Sequence, residues 1–156
     1  HPDWTLRIYG DGMREKLQQQ IDSLGISSNC VLEHSVPNIV DKYCESSIFV
    51  LSSRFEGFGM VIIEAMACGV PPVSFTCPCG PHDIITDSKD GLLVENGDIE
   101  GLAGKICYLI ENEKVRKEMG KQARINVERF KIEHVAQEWR ELFETLTKQP
   151  YSDQLS

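Results

Sequence analysis

Residues 48–69 read Ile-Phe-Val-Leu-Ser-Ser-Arg-Phe-Glu-Gly-Phe-Gly-Met-Val-Ile-Ile-Glu-Ala-Met-Ala-Cys-Gly. The run Ile48 to Leu51 is short and apolar, as a strand buried in a parallel sheet is. Ser52 to Gly57 breaks it, and from Gly59 the apolar residues crowd in a helical rather than a strand-like pattern. Glu56 then sits in a loop at a strand's carboxyl end, and Glu64 lies about two turns into the following helix. Ligands of open α/β sheets bind at the carboxyl ends of strands. A helix start with free N–H groups attracts phosphate, and carboxylates accept hydrogen bonds from sugar hydroxyls. These pieces suit a ligand that carries both phosphate and hydroxyl groups. In the plainer reading Glu56 is a solvated charge and Gly57 and Gly59 are turn formers. Glu64 resists that reading. Met60, Val61, Ile62, Ile63, Ala65, Met66 and Ala67 surround it, which predicts a helix apolar on nearly all faces and buried. A buried carboxylate needs partners.

Outward from this stretch the same alternation continues. Strands are expected at 5–9, 30–33, 47–51, 71–75 and 91–94, and helices at 13–24, 37–45, 59–68, 98–111, 113–128 and 131–147. Strands alternating with helices argue for an α/β fold, an open parallel sheet with helices on both faces. Asp98 is the expected N-cap of the helix that carries Ile99, Leu102, Ala103, Ile106 and Ile110. Ile132, Val135, Ala136, Trp139, Leu142 and Phe143 fall on one stripe of the last helix, and that stripe is expected to pack in the core. The expected organisation is one domain over 1–147, with a frayed polar tail over 148–156.

The 156 residues carry 41% hydrophobic and 26% charged side chains, ordinary for a globular domain. A net charge of −8 argues against nucleic acid or an anionic membrane as the main partner, but not against a nucleotide. No apolar run approaches the roughly 20 residues of a membrane span. Of the six cysteines, four lie in apolar contexts and are expected to be buried, as free thiols often are. Cys77-Pro78-Cys79 is the close pair, and a metal there would need two further ligands. Cys68 and His82 are available, but no spacing fixes them, so no metal and six free thiols in a cytoplasmic protein are expected. Gly10-Asp11-Gly12 follows a strand and precedes a helix, but Glu15 stands where a dinucleotide fingerprint needs its third glycine. His34 ends the second strand and is expected to be solvated or capping.

The segment with Glu56 and Glu64, seven residues between them, resembles the Glu-x7-Glu motif of retaining glycosyltransferases of family 4, which have the GT-B fold. Trp4 to Gly12 is similar to the strand and Gly-x-Gly turn early in that family's C-terminal domain. Val70 to Ser74, Gly80 to Ile85 and Asp90 to Val94 resemble the segments that follow the motif, in order. The likeness runs from about residue 4 to 146. It implies a Rossmann-like half of a GT-B fold that binds a nucleotide-sugar donor, UDP- or GDP-linked, and passes a hexosyl unit to an acceptor with retention of configuration. It further implies that Glu64 bonds the ribose hydroxyls and that Glu56 faces the transferred sugar. The backbone N–H groups of Gly57, Phe58, Gly59, Met60 and Val61 would contact sugar and phosphate, and Ser35 and Val36 would lie beside the base. No cofactor is implied, and attack from the front face leaves no carboxylate as nucleophile.

The family's complete members are longer, so the chain is expected to be a piece, truncated on its N-terminal side. The resemblance places the Arg and Lys that grip the diphosphate, and the N-terminal domain that holds the acceptor, before position 1. Any peripheral membrane contact would come through that missing half, and the piece would be inactive alone. His34 stands where the family usually has glycine. The other class of function open to this sequence is a nonenzymatic nucleotide- or sugar-binding module, or a regulatory α/β domain.

Overall fold

The computed structural model describes residues 1–148, so most of the expected tail lies outside the described residues. The chain divides into two compact units, residues 1–39 and a second that begins at Val40.

In the first unit β1 (Leu6–Tyr9) runs parallel to β2 (Cys30–Glu33), with Leu6 opposite Cys30 and Tyr9 opposite Glu33. Between them lies α1 (Arg14–Ser23), which buries Ile21. Arg14 fastens the carboxyl ends of both strands, donating to the carbonyls of Gly10 at 3.2 Å, Glu33 at 2.7 Å and Leu32 at 3.1 Å. Helix α2 (Ile39–Glu45) leads into the second unit.

The second unit holds β3 (Phe49–Leu51), β4 (Pro72–Phe75) and β5 (Leu92–Val94), all parallel, with β4 central and buried along its length. Successive strand residues point to opposite faces, and the core divides accordingly. Val73, Phe75, Leu92 and Val94 pack with Leu102 and Leu109 of α5 (Ile99–Glu111) and Met119 of α6 (Glu113–Asn126). Phe49, Leu51 and Leu93 point the other way, onto Ile62 and Met66 of α3 (Met60–Ala67) and Ile84 of α4 (Pro81–Ile84). Helices on both faces of parallel strands are what the alternation predicts. Asp98 caps α5 as expected, accepting from the Gly101 N–H at 2.9 Å.

The structure departs from the sequence reading in several places. The five strands form two ladders, β1–β2 and β3–β4–β5, rather than one. The fold adds α4, whose four residues are too few to show a period. The helix expected over 113–128 ends at Asn126 and tightens into a 3-10 turn, Val127–Phe130. The expectation that the last helix packs its stripe in the core is wrong. On α7 (Ile132–Lys148) Ile132 is 77% exposed, Trp139 55% and Phe143 57%. Trp139 stacks only on its own helix neighbour Phe143 among the described aromatic pairs. The apolar period is present on α7, but no described element covers that face. The cysteines also differ: Cys30 and Cys77 are buried, Cys68 and Cys107 half-buried, Cys44 and Cys79 exposed. Among the described residues no helix is long and apolar enough to cross a membrane.

Candidate functional site

Strand β3 ends at Leu51, and the loop 52–59 carries Glu56 from its carboxyl end to the start of α3. Three contacts fasten this loop. The Cys77 thiol donates to the Ser53 carbonyl at 2.8 Å, and the Asn96 amide donates to the Arg54 carbonyl at 3.2 Å. The Phe58 ring meets Phe130 edge to face at 5.8 Å. Gly80 lies so close beneath the turn that a β-carbon there would stand 2.1 Å from the Phe58 carbonyl oxygen. Gly80 also has φ +93°, a backbone region that favours glycine.

Helix α3 begins at Gly59, which offers no side chain to cap it. Ile62 N–H bonds back to the Gly59 carbonyl at 2.9 Å. That leaves the earlier N–H groups of the first turn, which have no intrahelical partners, and an anion can take them. At the other end Gly69, with φ +77°, closes the helix in a Schellman turn. Its N–H bonds the Met66 carbonyl at 2.8 Å and the Val70 N–H bonds the Ala65 carbonyl at 3.1 Å.

Glu56 and Glu64 are both half-buried. The expectation of a helix buried on nearly all faces needs correction: Met60 is 57% exposed and Val61 37%, while Ile62, Ala65 and Met66 are buried. One face of the first turn is therefore open. Glu64 has the partner that burial demands, for the Tyr43 hydroxyl donates to its Oε2 at 3.2 Å. Burial first, and then the Glu64 charge, push the Tyr43 phenol up to about 12. Burial also raises the Cys77 thiol, and the nearby Glu56 charge adds to it. Tyr43 escaped the sequence reading because 21 residues separate it from Glu64, and no spacing rule joins two helices at that distance.

Ser35 and Val36 lie in the first unit, in the loop after β2. Ser35 donates to Asp11 through its backbone N–H at 3.3 Å and through its hydroxyl. His34 Nδ1 meets the other Asp11 oxygen at 2.6 Å, so His34 is paired rather than merely solvated. The Ser35 hydroxyl, and then His34, hold the Asp11 carboxyl down at about 2, from 3.8. In the sequence Asp11 is legible only as part of a turn. Among the described residues no three of His, Cys, Asp and Glu converge where a metal could sit. Two surface hollows, of about 600 and 280 Å³, lie along Trp139 and Phe143 on α7 and beside Ile63, Arg124 and Lys131. Neither is lined by Glu56 or Glu64.

Parallel strands under helices, with a carboxylate loop feeding an uncapped helix start, define the α/β fold shared with GT-B glycosyltransferases. Residues 1–126 match the family model "Glycosyl transferases group 1", and the chain belongs to that family. It is 35% identical over 148 residues to an exopolysaccharide phosphotransferase of Streptomyces coelicolor, covering 94% of this chain and 16% of that protein. It is 33% identical over 138 residues to a poly(ribitol-phosphate) alpha-N-acetylglucosaminyltransferase of Staphylococcus aureus, covering 87% of this chain and 28% of that one. Among solved structures, a point mutant of S. aureus TarM in complex with fondaparinux, alpha-GlcNAc-glycerol and UDP superposes with a TM-score of 0.84 at 32% identity, over 89% of this chain and 29% of that one. Anabaena HepE in complex with UDP superposes with a TM-score of 0.86 at 25% identity, over 93% and 42%. The chain thus spans less than half of each of these relatives.

Proposed function

We propose that this chain is the donor-binding part of a retaining, family-4-like glycosyltransferase that uses a UDP- or GDP-linked hexose in the cytoplasm. One observation carries the reading: an uncapped helix start, with two half-buried carboxylates flanking it along the chain, follows the carboxyl end of a parallel strand. The first-turn N–H groups of α3 take the diphosphate or sugar oxygens, where they stabilise the charge that develops on the leaving group. Glu64 accepts from the ribose hydroxyls and Glu56 faces the transferred hexose. The UDP in the TarM and HepE complexes supports a uridine donor, which no feature of this chain selects over guanosine. The acceptor site and the cations that grip the diphosphate belong to segments outside this chain, so residues 1–156 bind donor without transferring sugar.

Calorimetric titration with UDP and GDP tests binding; no heat from either at millimolar concentration sinks the proposal. In the longer enzyme, Glu64→Ala weakens donor binding by about 1.5–3 kcal/mol, the worth of a hydrogen bond to a charged group. Glu56→Ala lowers kcat, because an interaction that strengthens in the transition state acts on turnover. Wild-type kinetics in both variants would make the pair structural, as in a nonenzymatic module.

A further inference from the structure

Resting on the reading of Glu64 as a ribose ligand, we propose that Tyr43 is the positioning residue of that carboxylate, holding one oxygen so that the other is aimed at the nucleotide. Tyr43 projects from α2 and its hydroxyl meets Glu64 Oε2 at 3.2 Å. The residue is 7% exposed, and its ring stands edge-on to Phe49 of β3, 5.7 Å between centroids at 86°. The phenol cannot swing aside without unpacking from the strand. A second contact ties the same two helices one turn further along, where the Cys68 thiol reaches the Val40 carbonyl at 4.0 Å. With the hydroxyl held up at about 12 by burial and by the Glu64 charge, Tyr43 stays protonated and donates.

The need for such a partner follows from the glutamate itself. Glu64 is half-exposed beside the open first turn of α3, and the last torsion of a glutamate is broad and nearly unrestrained. Left alone, the carboxylate would rotate among several orientations, and binding would have to order it. Ordering a flexible side chain opposes binding, and a preorganised one avoids that loss. A carboxylate has acceptor capacity on both oxygens, so the Tyr43 bond still leaves Oε1 for a ribose hydroxyl. Tyr43 thereby acts on the nucleotide through Glu64 and touches no reacting atom.

The test is a four-protein comparison: wild type, Tyr43→Phe, Glu64→Gln and the double variant, each titrated with UDP, GDP and the 2′-deoxy form of the tighter binder. Phenylalanine keeps the ring packing and removes only the hydroxyl. Expected is that Glu64→Gln loses both affinity and preference for ribose over deoxyribose. Tyr43→Phe should lose affinity about threefold to tenfold, one net hydrogen bond's worth, and part of the same preference. The double variant should be no weaker than Glu64→Gln. The ribose preference is a ratio of two affinities for one protein, so partial unfolding of a variant does not move it. If Tyr43→Phe keeps the wild-type preference while Glu64→Gln loses it, the positioning role is refuted and the Glu64 reading stands. If Glu64→Gln itself binds and discriminates as wild type does, the Glu64 reading falls and Tyr43 falls with it.

Discussion

Gly80→Ala is the sharpest single perturbation of the loop that presents Glu56. The new methyl would stand 2.1 Å from the Phe58 carbonyl oxygen, 2.7 Å from its carbon and 3.3 Å from its Cα. Relieving that clash needs a displacement of about 1 Å, since carbon atoms settle near van der Waals separation. The Phe58 side cannot give freely. Its ring is packed on Phe130, and the same loop is tied at Ser53 by Cys77 and at Arg54 by Asn96. Alanine is also strained at φ +93°. Backbone strain of about 1–3 kcal/mol and overpacking of about 1–3 kcal/mol give a loss of roughly 2–6 kcal/mol. At roughly 2–4 °C per kcal/mol in a chain of this size, the melting temperature should fall by about 4–24 °C. If the loop yields instead of the core, the melt moves less, and UDP affinity falls as the first turn of α3 shifts. Circular-dichroism melts and UDP titration read the two outcomes. Gly57→Ala is the control, because a β-carbon at Gly57 meets nothing within 4 Å. It should stay within about 0.5 kcal/mol of wild type. A Gly80→Ala protein that melts and binds like wild type, or a Gly57→Ala protein whose melting temperature falls equally, would refute the packing role of Gly80.

Native-state alkylation should label Cys44 and Cys79 first and Cys30 and Cys77 last, since burial shields the latter two and raises their thiols away from the reactive thiolate. Mass spectrometry that found Cys77 as fast as Cys79 would contradict the structure, and after denaturation all six should label. The Asp11 carboxyl is lowered on folding to about 2 from 3.8, so its contribution is fully present above the unfolded value and is lost as pH falls through about 2. The melting-temperature gap between wild type and Asp11→Asn should therefore be widest near neutral pH and close as pH is lowered from about 5 toward 2; a pH-independent gap would show that Ser35 and His34 do not stabilise the charged form. Leu109→Ala, at a fully buried position, should cost about 2–5 kcal/mol in chemical denaturation, whereas Trp139→Ser on the open face of α7 should cost less than about 0.5 kcal/mol. Equal losses would mean that the α7 stripe is packed after all.

What the sequence made legible is what short-range order encodes. The apolar run at Phe49 to Leu51, the glycine turn and the helix from Met60 are consecutive, so the loop position of Glu56 and the helical position of Glu64 follow from local pattern alone. Asp98 is legible for the same reason, because a cap acts on N–H groups three residues away. Tyr43 and Asp11 are different: their partners lie 21 and 23 residues off, and only packing brings them together. The division into two ladders has the same origin, since a strand's own residues do not name its neighbour. Helix α7 separates the two kinds of information most clearly. Which side of a helix is apolar depends only on residue order at 3.6 per turn, so the positions of Ile132, Trp139 and Phe143 along the chain are enough to assign them to one stripe. Whether that stripe is buried depends on what lies against it, and nothing within 132–147 encodes that. An amphipathic period is thus evidence for a helix and for the orientation of its apolar face, while the cover must come from elsewhere in the fold or from a partner.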